Sequence, residues 1–180
     1  MMNNDILKVV LTKEEIDQVC KRLGEEISRD YHDKKPIIVG LLKGCQPFMS
    51  DLVKHISTYI KIDYMLASSY EGINSTGHVT VKKDIETFVE GQDVIIVDDI
   101  IDTGFTLKSV ISLFKEKKVR SVKTCCLLDK PEGRKVDLKA DYAGLTVPNE
   151  FVVGYGLDYN GYYRNLPYIG VLKPEFYLKK

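Results

Sequence analysis

The sequence predicts an α/β protein with a parallel, doubly wound sheet flanked by helices, and three observations predict it. Short apolar runs alternate with segments of helical periodicity through the middle of the chain. The run 94–97 (Val-Ile-Ile-Val) is apolar throughout, the type of strand that helices bury on both faces. Each run also stops at a polar segment: Lys43-Gly44, Ser68-Ser69-Tyr70, Asp98-Asp99 and Asp129-Lys130. If the strands are parallel, these segments meet at one edge, outside the carboxyl ends where open α/β sheets bind ligands.

The elements follow in order. Thr12 with Glu15 forms a capping box, and Ile16, Val19, Cys20, Leu23 and Ile27 fall on one stripe of a helix that ends near Asp30. The run 37–42 is a strand, and Lys43-Gly44 turns it into a helix with Met49, Leu52, Val53 and Ile56 on one side. Residues 59–66 read as a strand that opens into a Ser/Gly/Asn/Thr-rich stretch, 67–80. The strand 94–97 follows the turn at Gly91, then come a helix over 107–117 and a strand over 122–128. The tyrosines at 155, 159, 162, 163 and 168 are expected to pack a small hood formed by chain-terminal segments.

Length and composition set bounds. The 180 residues fit one domain, 1–180, large enough for a real core. Hydrophobic residues make up 44% and charged residues 29%, a globular composition. Lys+Arg and Asp+Glu balance at 26 each, which weighs against a nucleic-acid partner. No run approaches the ~18 apolar residues of a membrane span, and residues 1–8 do not resemble a signal peptide. Cys20, Cys45, Cys125 and Cys126 lack a C-x-x-C pair and read as reduced core residues; His32, His55 and His78 lack metal-site spacing. A cytoplasmic protein without membrane contact is expected.

The central signal is VIIVDDIIDTGFTL, residues 94–107. A helix start with glycine and hydroxyl side chains offers free N–H groups and the positive dipole end, which suits phosphate. Paired carboxylates beside it would repel a bare phosphate, but they suit hydroxyls or a cation on a Mg²⁺-bound sugar pyrophosphate. Helix capping alone accounts for one or two of the three acids Asp98, Asp99 and Asp102. The literal D-D-x-x-D match to prenyl-diphosphate synthases fails on context, because that motif lies on a helix. A response-regulator receiver would carry its acid pair after the first strand. Neither G-x-G-x-x-G nor G-x-x-x-x-G-K-[ST] occurs.

The acid-acid-x-x-Asp-Thr-Gly-x-Thr loop resembles the phosphoribosyl-pyrophosphate signature of type I phosphoribosyltransferases. Leu41-Leu42-Lys43-Gly44, Ser69-Tyr70, Leu127-Leu128-Asp129-Lys130 and the segment 151–160 narrow the resemblance to hypoxanthine-guanine phosphoribosyltransferases, over roughly residues 7–172. The resemblance implies a purine-salvage transferase that joins hypoxanthine or guanine to the phosphoribosyl group and releases pyrophosphate. It also implies Mg²⁺ and a homodimer or homotetramer. A non-catalytic regulator that keeps the fold is the rival reading, and Asp102, Lys130 and Phe151 together favour the enzyme.

By the same resemblance, Asp102, Thr103, Gly104, Phe105 and Thr106 hold the 5-phosphate, with Asp102 as general base near purine N7. Asp98 and Asp99 reach the ribose hydroxyls and the metal, although the family usually has Glu where this chain has Asp98. Leu42, Lys43, Gly44 and Arg164 serve the pyrophosphate, and the Leu42–Lys43 peptide can be cis. Lys130 donates to the 6-oxo group, Phe151 stacks on the base and Val152 bonds its edge. Asp158 lies on the purine side as a further Mg²⁺ ligand, and Ser69-Tyr70 belong to a closing lid. By pattern alone, the segment 130–134 is an ordinary surface turn.

Overall fold

The computed structural model describes residues 2–69 and 79–178. Strand β1 (Ile6–Leu11) leads into α1 (Lys13–Asp30). The capping box is closed: Thr12 Oγ1 accepts from Glu15 N at 3.2 Å, and the Glu15 carboxylate accepts from Thr12 N at 2.8 Å. Such a cap stabilises a helix by about 1 kcal/mol. The stripe Ile16, Val19, Cys20, Leu23 and Ile27 is buried.

Next come β2 (Ile37–Leu41), α2 (Gln46–Leu52), β3 (Lys61–Ser69) and β4 (Val79–Lys83). They are followed by β5 (Asp93–Ile101), α3 (Phe105–Glu116), β6 (Ser121–Asp129) and β7 (Tyr142–Thr146). These strands form one sheet in the order β4-β3-β2-β5-β6-β7. All its pairings are parallel except β3 with β4. From β2 the chain steps outward to β3, then returns to β5 and proceeds the other way, so β2 and β5 flank the topological switch point. There the carboxyl ends of neighbouring strands leave a crevice.

Side-chain parity explains the two layers of core. Ile38, Ile95, Val97, Cys125 and Leu127 pack with α1 and α2. Ile37, Val39, Val94, Ile96 and Cys126 pack with Leu107, Val110 and Phe114 of α3. Successive strand residues face opposite layers, so a strand covered by helices on both sides has no polar alternation to show. All four cysteines are buried, and burial pushes their thiols up, Cys20 to about 11.

Several boundaries differ from expectation. β5 runs on through the acids to Ile101, because β6 keeps pairing with it: Asp98 opposes Cys126 and Ile101 opposes Asp129. The acids therefore project from the last residues of a strand rather than from a loop after it. β3 continues into the polar stretch because β4 pairs with it antiparallel, Ala67 opposing Val81. The helix expected to run on to Ile56 ends at Leu52 and passes into a 3₁₀ turn, Val53–His55.

A second sheet, in the order β1-β9-β8, joins β1 to β8 (Val152–Val153) and β9 (Ile169–Leu172), both pairings antiparallel. This is the hood, and α4 (Pro174–Tyr177) follows it. Its Val152, Ile169 and Val171 enter the same apolar core as α1. The tyrosines behave less uniformly than expected. Tyr155 is buried, and the hydroxyls of Tyr163 and Tyr168 donate to Asp5 and Asn3, whereas Tyr162 is 70% exposed.

Candidate active site

The parallel register brings the carboxyl ends of β2, β3, β5 and β6 to one edge. A cavity of about 460 Å³ lies there, at the switch point between β2 and β5. Its walls come from the turn after β2, from the segment 98–107, and from Asp158 and Arg164 of the hood.

Asp98 and Asp99 are half-buried at the end of β5. Burial first, and the neighbouring Asp99 charge second, push Asp98 well above the usual carboxylate range. Burial also raises Asp99, opposed in part by its hydrogen bonds and by the Arg164 charge. The pair thus lacks sufficient countercharge from the protein. Against Asp99 sits Gly44, where a Cβ would lie 1.7 Å from the carboxylate oxygen, so the residue after Lys43 has no room for a side chain. The Leu42–Lys43 peptide bond is cis. Gly156, at φ +100°, approaches from the hood; a Cβ there would be 2.0 Å from Gly44 O.

The loop after β5 turns into α3 at Gly104, φ +84°, leaving the helix N-terminus with Thr103, Gly104 and Thr106 on the cavity wall. Phe105 lies outside that wall and is 37% exposed. The Asp102 carboxylate pairs with Lys130 Nζ at 2.7 Å. A Cβ on Gly133 would fall 1.9 Å from Asp102 Oδ1, so this turn also requires glycine.

On the hood side, Arg164 pairs with Asp158 at 2.5 Å and donates to Gly156 O at 2.5 Å, while Gly161 N donates to Asp158 at 2.7 Å. Phe151, 36% exposed, stacks on Tyr177 of α4 with centroids 4.8 Å apart, and Tyr159 meets it edge-on at 5.7 Å. Val152 is buried in the β8–β9 pairing.

The structure therefore gathers Leu42, Gly44, Asp98, Asp99, Asp102, Thr103, Gly104, Thr106, Asp158 and Arg164 around one cavity. Lys130 joins them through its ion pair with Asp102, whereas Lys43, Phe105, Phe151 and Val152 are not on the cavity wall. Ser69 ends β3, and Tyr70 lies outside the described residues. Asp98, Asp99 and Asp158 do not form one three-acid cluster; no group of three or more His, Cys, Asp or Glu suited to a metal occurs among the described residues. Paired carboxylate oxygens still fit Mg²⁺, which uses one or two protein carboxylates and takes its other ligands from substrate phosphates and water.

A model of the phosphoribosyl transferase domain matches residues 8–160. The chain belongs to the phosphoribosyl transferase family. It is 54% identical over 178 residues to the hypoxanthine-guanine phosphoribosyltransferase of Streptococcus pneumoniae, covering 98% of this chain and 99% of that one. Identity to the enzyme of the same name from Bacillus subtilis is 53% over the same length, with the same coverage. A crystal structure of a hypoxanthine phosphoribosyltransferase from Staphylococcus aureus superposes with a TM-score of 0.95 at 52% identity, covering 98% of this chain and 96% of that one. The doubly wound sheet with its hood is thus the family's fold.

Sequence reading missed Arg134, Gly133 and Tyr177. Arg134 and Gly133 sit in what reads as a surface turn, and only the folded contacts reveal their use. The one available signal was the glycine beside a Lys-Pro turn, which many loops share.

Proposed function

We propose that this chain transfers the 5-phosphoribosyl group from phosphoribosyl pyrophosphate to hypoxanthine or guanine, giving IMP or GMP and pyrophosphate. The observation that carries this reading is the Asp102–Lys130 pair, a proton acceptor and a cationic donor 2.7 Å apart at the cavity. A 6-oxopurine presents a complementary edge, with N7–H beside O6. Asp102 accepts the N7 proton and Lys130 donates to O6 as the base replaces their mutual contact. N9 then forms its bond to the anomeric carbon while the bond from that carbon to pyrophosphate oxygen breaks. The proton lost from N7 passes to Asp102, the general base.

Other residues take supporting roles. Thr103, Gly104, Phe105 and Thr106 bind the 5-phosphate through the α3 N-terminus. Leu42, Lys43 and Gly44 present backbone groups to the leaving pyrophosphate, with Arg164 as its cationic partner. Phe151 stacks on the base, Val152 bonds its edge through the main chain, and Ser69-Tyr70 belong to a lid that excludes water. Asp98 and Asp99 would hold Mg²⁺ at the ribose, and Asp158, across the cavity, would serve as a further ligand on the purine side. When bound, the metal offsets charge on the diphosphate. Burial and mutual repulsion disfavour charge on Asp98 and Asp99 in the protein alone, and the countercharge a cation would bring supports this assignment.

The working unit is one domain, 1–180, supported by the apolar core that hood and sheet share. We place it in the cytoplasm as a homodimer or homotetramer without nucleic-acid or membrane partners. Balanced charge and exposed apolar side chains such as Tyr59 and Phe88 support this. No described helix is long and apolar enough to cross a membrane.

The test is pyrophosphate release with adenine, guanine, hypoxanthine and xanthine in turn, with and without exhaustive chelation. Hypoxanthine and guanine should turn over, adenine should not, and chelation should abolish the rate. Turnover of adenine, or full activity without metal, would overturn the reading.

A further inference from the structure

Arg134 closes the turn that follows β6, and its side chain is only 13% exposed. Its planar guanidinium carries five donors in a fixed fork, and the fold engages all three nitrogens. Nε donates to Asp102 O at 2.8 Å, and Nη2 donates to Ile101 O at 3.1 Å and to the Asp129 carboxylate. Nη1 donates to Leu138 O. One side chain therefore joins the end of β5, the end of β6 and the coil beyond the turn. Asp129 supplies the countercharge that so enclosed a cation needs.

The backbone of the same turn completes the pattern. Lys130 N donates to Ile101 O at 3.0 Å, and Lys135 N donates to Thr103 O at 3.0 Å. The carbonyls of Ile101, Asp102 and Thr103 are thus all drawn toward the turn, and the middle one is held by a side chain. In a planar trans peptide the N–H points opposite to the C=O. Holding Asp102 O against Arg134 therefore sends Thr103 N–H the other way, toward the cavity that Thr103 lines. The stem of Arg134 also packs on the helix start: a Cβ on Gly104 would lie 3.1 Å from its Cδ.

We propose that Arg134 is a positioning residue for phosphoribosyl transfer. It fixes the Asp102–Thr103 peptide so that one amide meets the 5-phosphate while the Asp102 carboxylate stays beside Lys130 for the purine. This assignment rests on the reading given under Proposed function. Lysine keeps the charge of Arg134 but, as a point donor, does not span these acceptors at once.

Steady-state kinetics on Arg134→Lys and Arg134→Ala test it, with hypoxanthine and phosphoribosyl pyrophosphate each varied. A misplacement of about 1 Å can lower a rate on the order of 10²-fold, so Arg134→Lys should lose about that much kcat/KM for the sugar pyrophosphate. The loss should appear in both KM and kcat. Added methylguanidinium should restore part of the activity of Arg134→Ala by refilling the vacated slot. Arg120→Ala is the control: Arg120 pairs with Asp93 at the amino end of β5, far along the strand from the cavity. It should melt earlier with unchanged KM and kcat. Wild-type kinetic constants in Arg134→Lys would overturn the proposal, as would a melting change without a kinetic one. Should Arg134→Ala not fold, the KM and kcat of Arg134→Lys decide alone. A wild-type protein that releases no pyrophosphate with hypoxanthine would overturn the functional reading instead.

Discussion

Lys130 and Asp102 satisfy one another, and each is proposed to exchange that partner for one atom of the purine edge. The exchange makes their losses unequal. Asp102→Asn keeps the shape and removes proton acceptance, so kcat should fall by ~10²-fold or more, about 3 kcal/mol in the barrier. Its KM for the sugar pyrophosphate should change far less, because Thr103 to Thr106 still form the phosphate loop. Near-normal kcat in rapid-quench or steady-state assays would rule out Asp102 as the base. Lys130→Ala removes a donor without creating an acceptor, so it should raise KM for hypoxanthine strongly and leave adenine unused. A site built to bond a polar group can reject an analogue lacking it by ~10⁴-fold, which pocket shape alone does not supply. An unchanged hypoxanthine KM would return Lys130 to the surface turn that Pro131 and Gly133 suggest.

Legibility at the scale of the element followed the kind of information each element depends on. α1 was readable because its cap, stripe and end are local, and β2, β5 and β6 were readable because their buried stretches are apolar runs; β3 read as a strand although most of it is only half-buried, and the fifth parallel strand, β7, was not read. β4 and β8 were not, since β4 is specified by the strand that pairs with it and β8 has only two residues. The acids were legible as a motif, yet their place inside β5 depended on β6 pairing onward to Ile101. Arg134 was illegible for the same reason: nothing local distinguishes a solvated arginine from one that holds carbonyls of another strand. α4 is a comparable case. Four residues are too few for a stable isolated helix, and this one is held by the Tyr159 hydroxyl donating to Phe176 O at 2.9 Å and by Tyr177 stacking on Phe151. Because Phe151 is the proposed stacking partner of the base, α4 should act on purine binding. An aromatic pair contributes about 0.5–1.5 kcal/mol, so Tyr177→Ala should raise KM for hypoxanthine by roughly 2–10-fold and leave KM for the sugar pyrophosphate unchanged. Equal shifts in both KM values would show that α4 supports the whole hood rather than the base slot.

For the whole molecule, the site lies where the fold changes direction, and its chemistry opposes its stability. Two other carboxylates are compensated: Arg120 beside Asp93 holds that carboxyl below the usual range, and hydrogen bonds from Thr87, Tyr64 and Glu86 outweigh burial to lower Asp63. Asp98 and Asp99 run against this pattern, for burial and mutual repulsion raise Asp98. An acid raised in the folded state binds its proton more tightly there than in the unfolded chain. Stability is then lost as pH climbs above the ordinary carboxylate range toward the raised value. Asp98→Asn removes the carboxyl whose ionisation the fold disfavours and should therefore melt higher than the wild type at pH 7 without substrate. Relief of a functional-site conflict typically contributes ~0.5–2 kcal/mol, and each kcal/mol is about 2–4 °C in a chain of this size. The gain should shrink as pH falls into the ordinary carboxylate range, where the raised Asp98 carboxyl keeps its proton and the repulsion is gone. The compensated acids elsewhere are common to both proteins and cancel in the difference. Activity should move the opposite way, because the asparagine removes a charge proposed to hold the metal. Melting curves at several pH values check the argument: an Asp98→Asn protein no more stable than wild type at pH 7, or one whose advantage does not depend on pH, would show that this carboxylate pair carries no penalty.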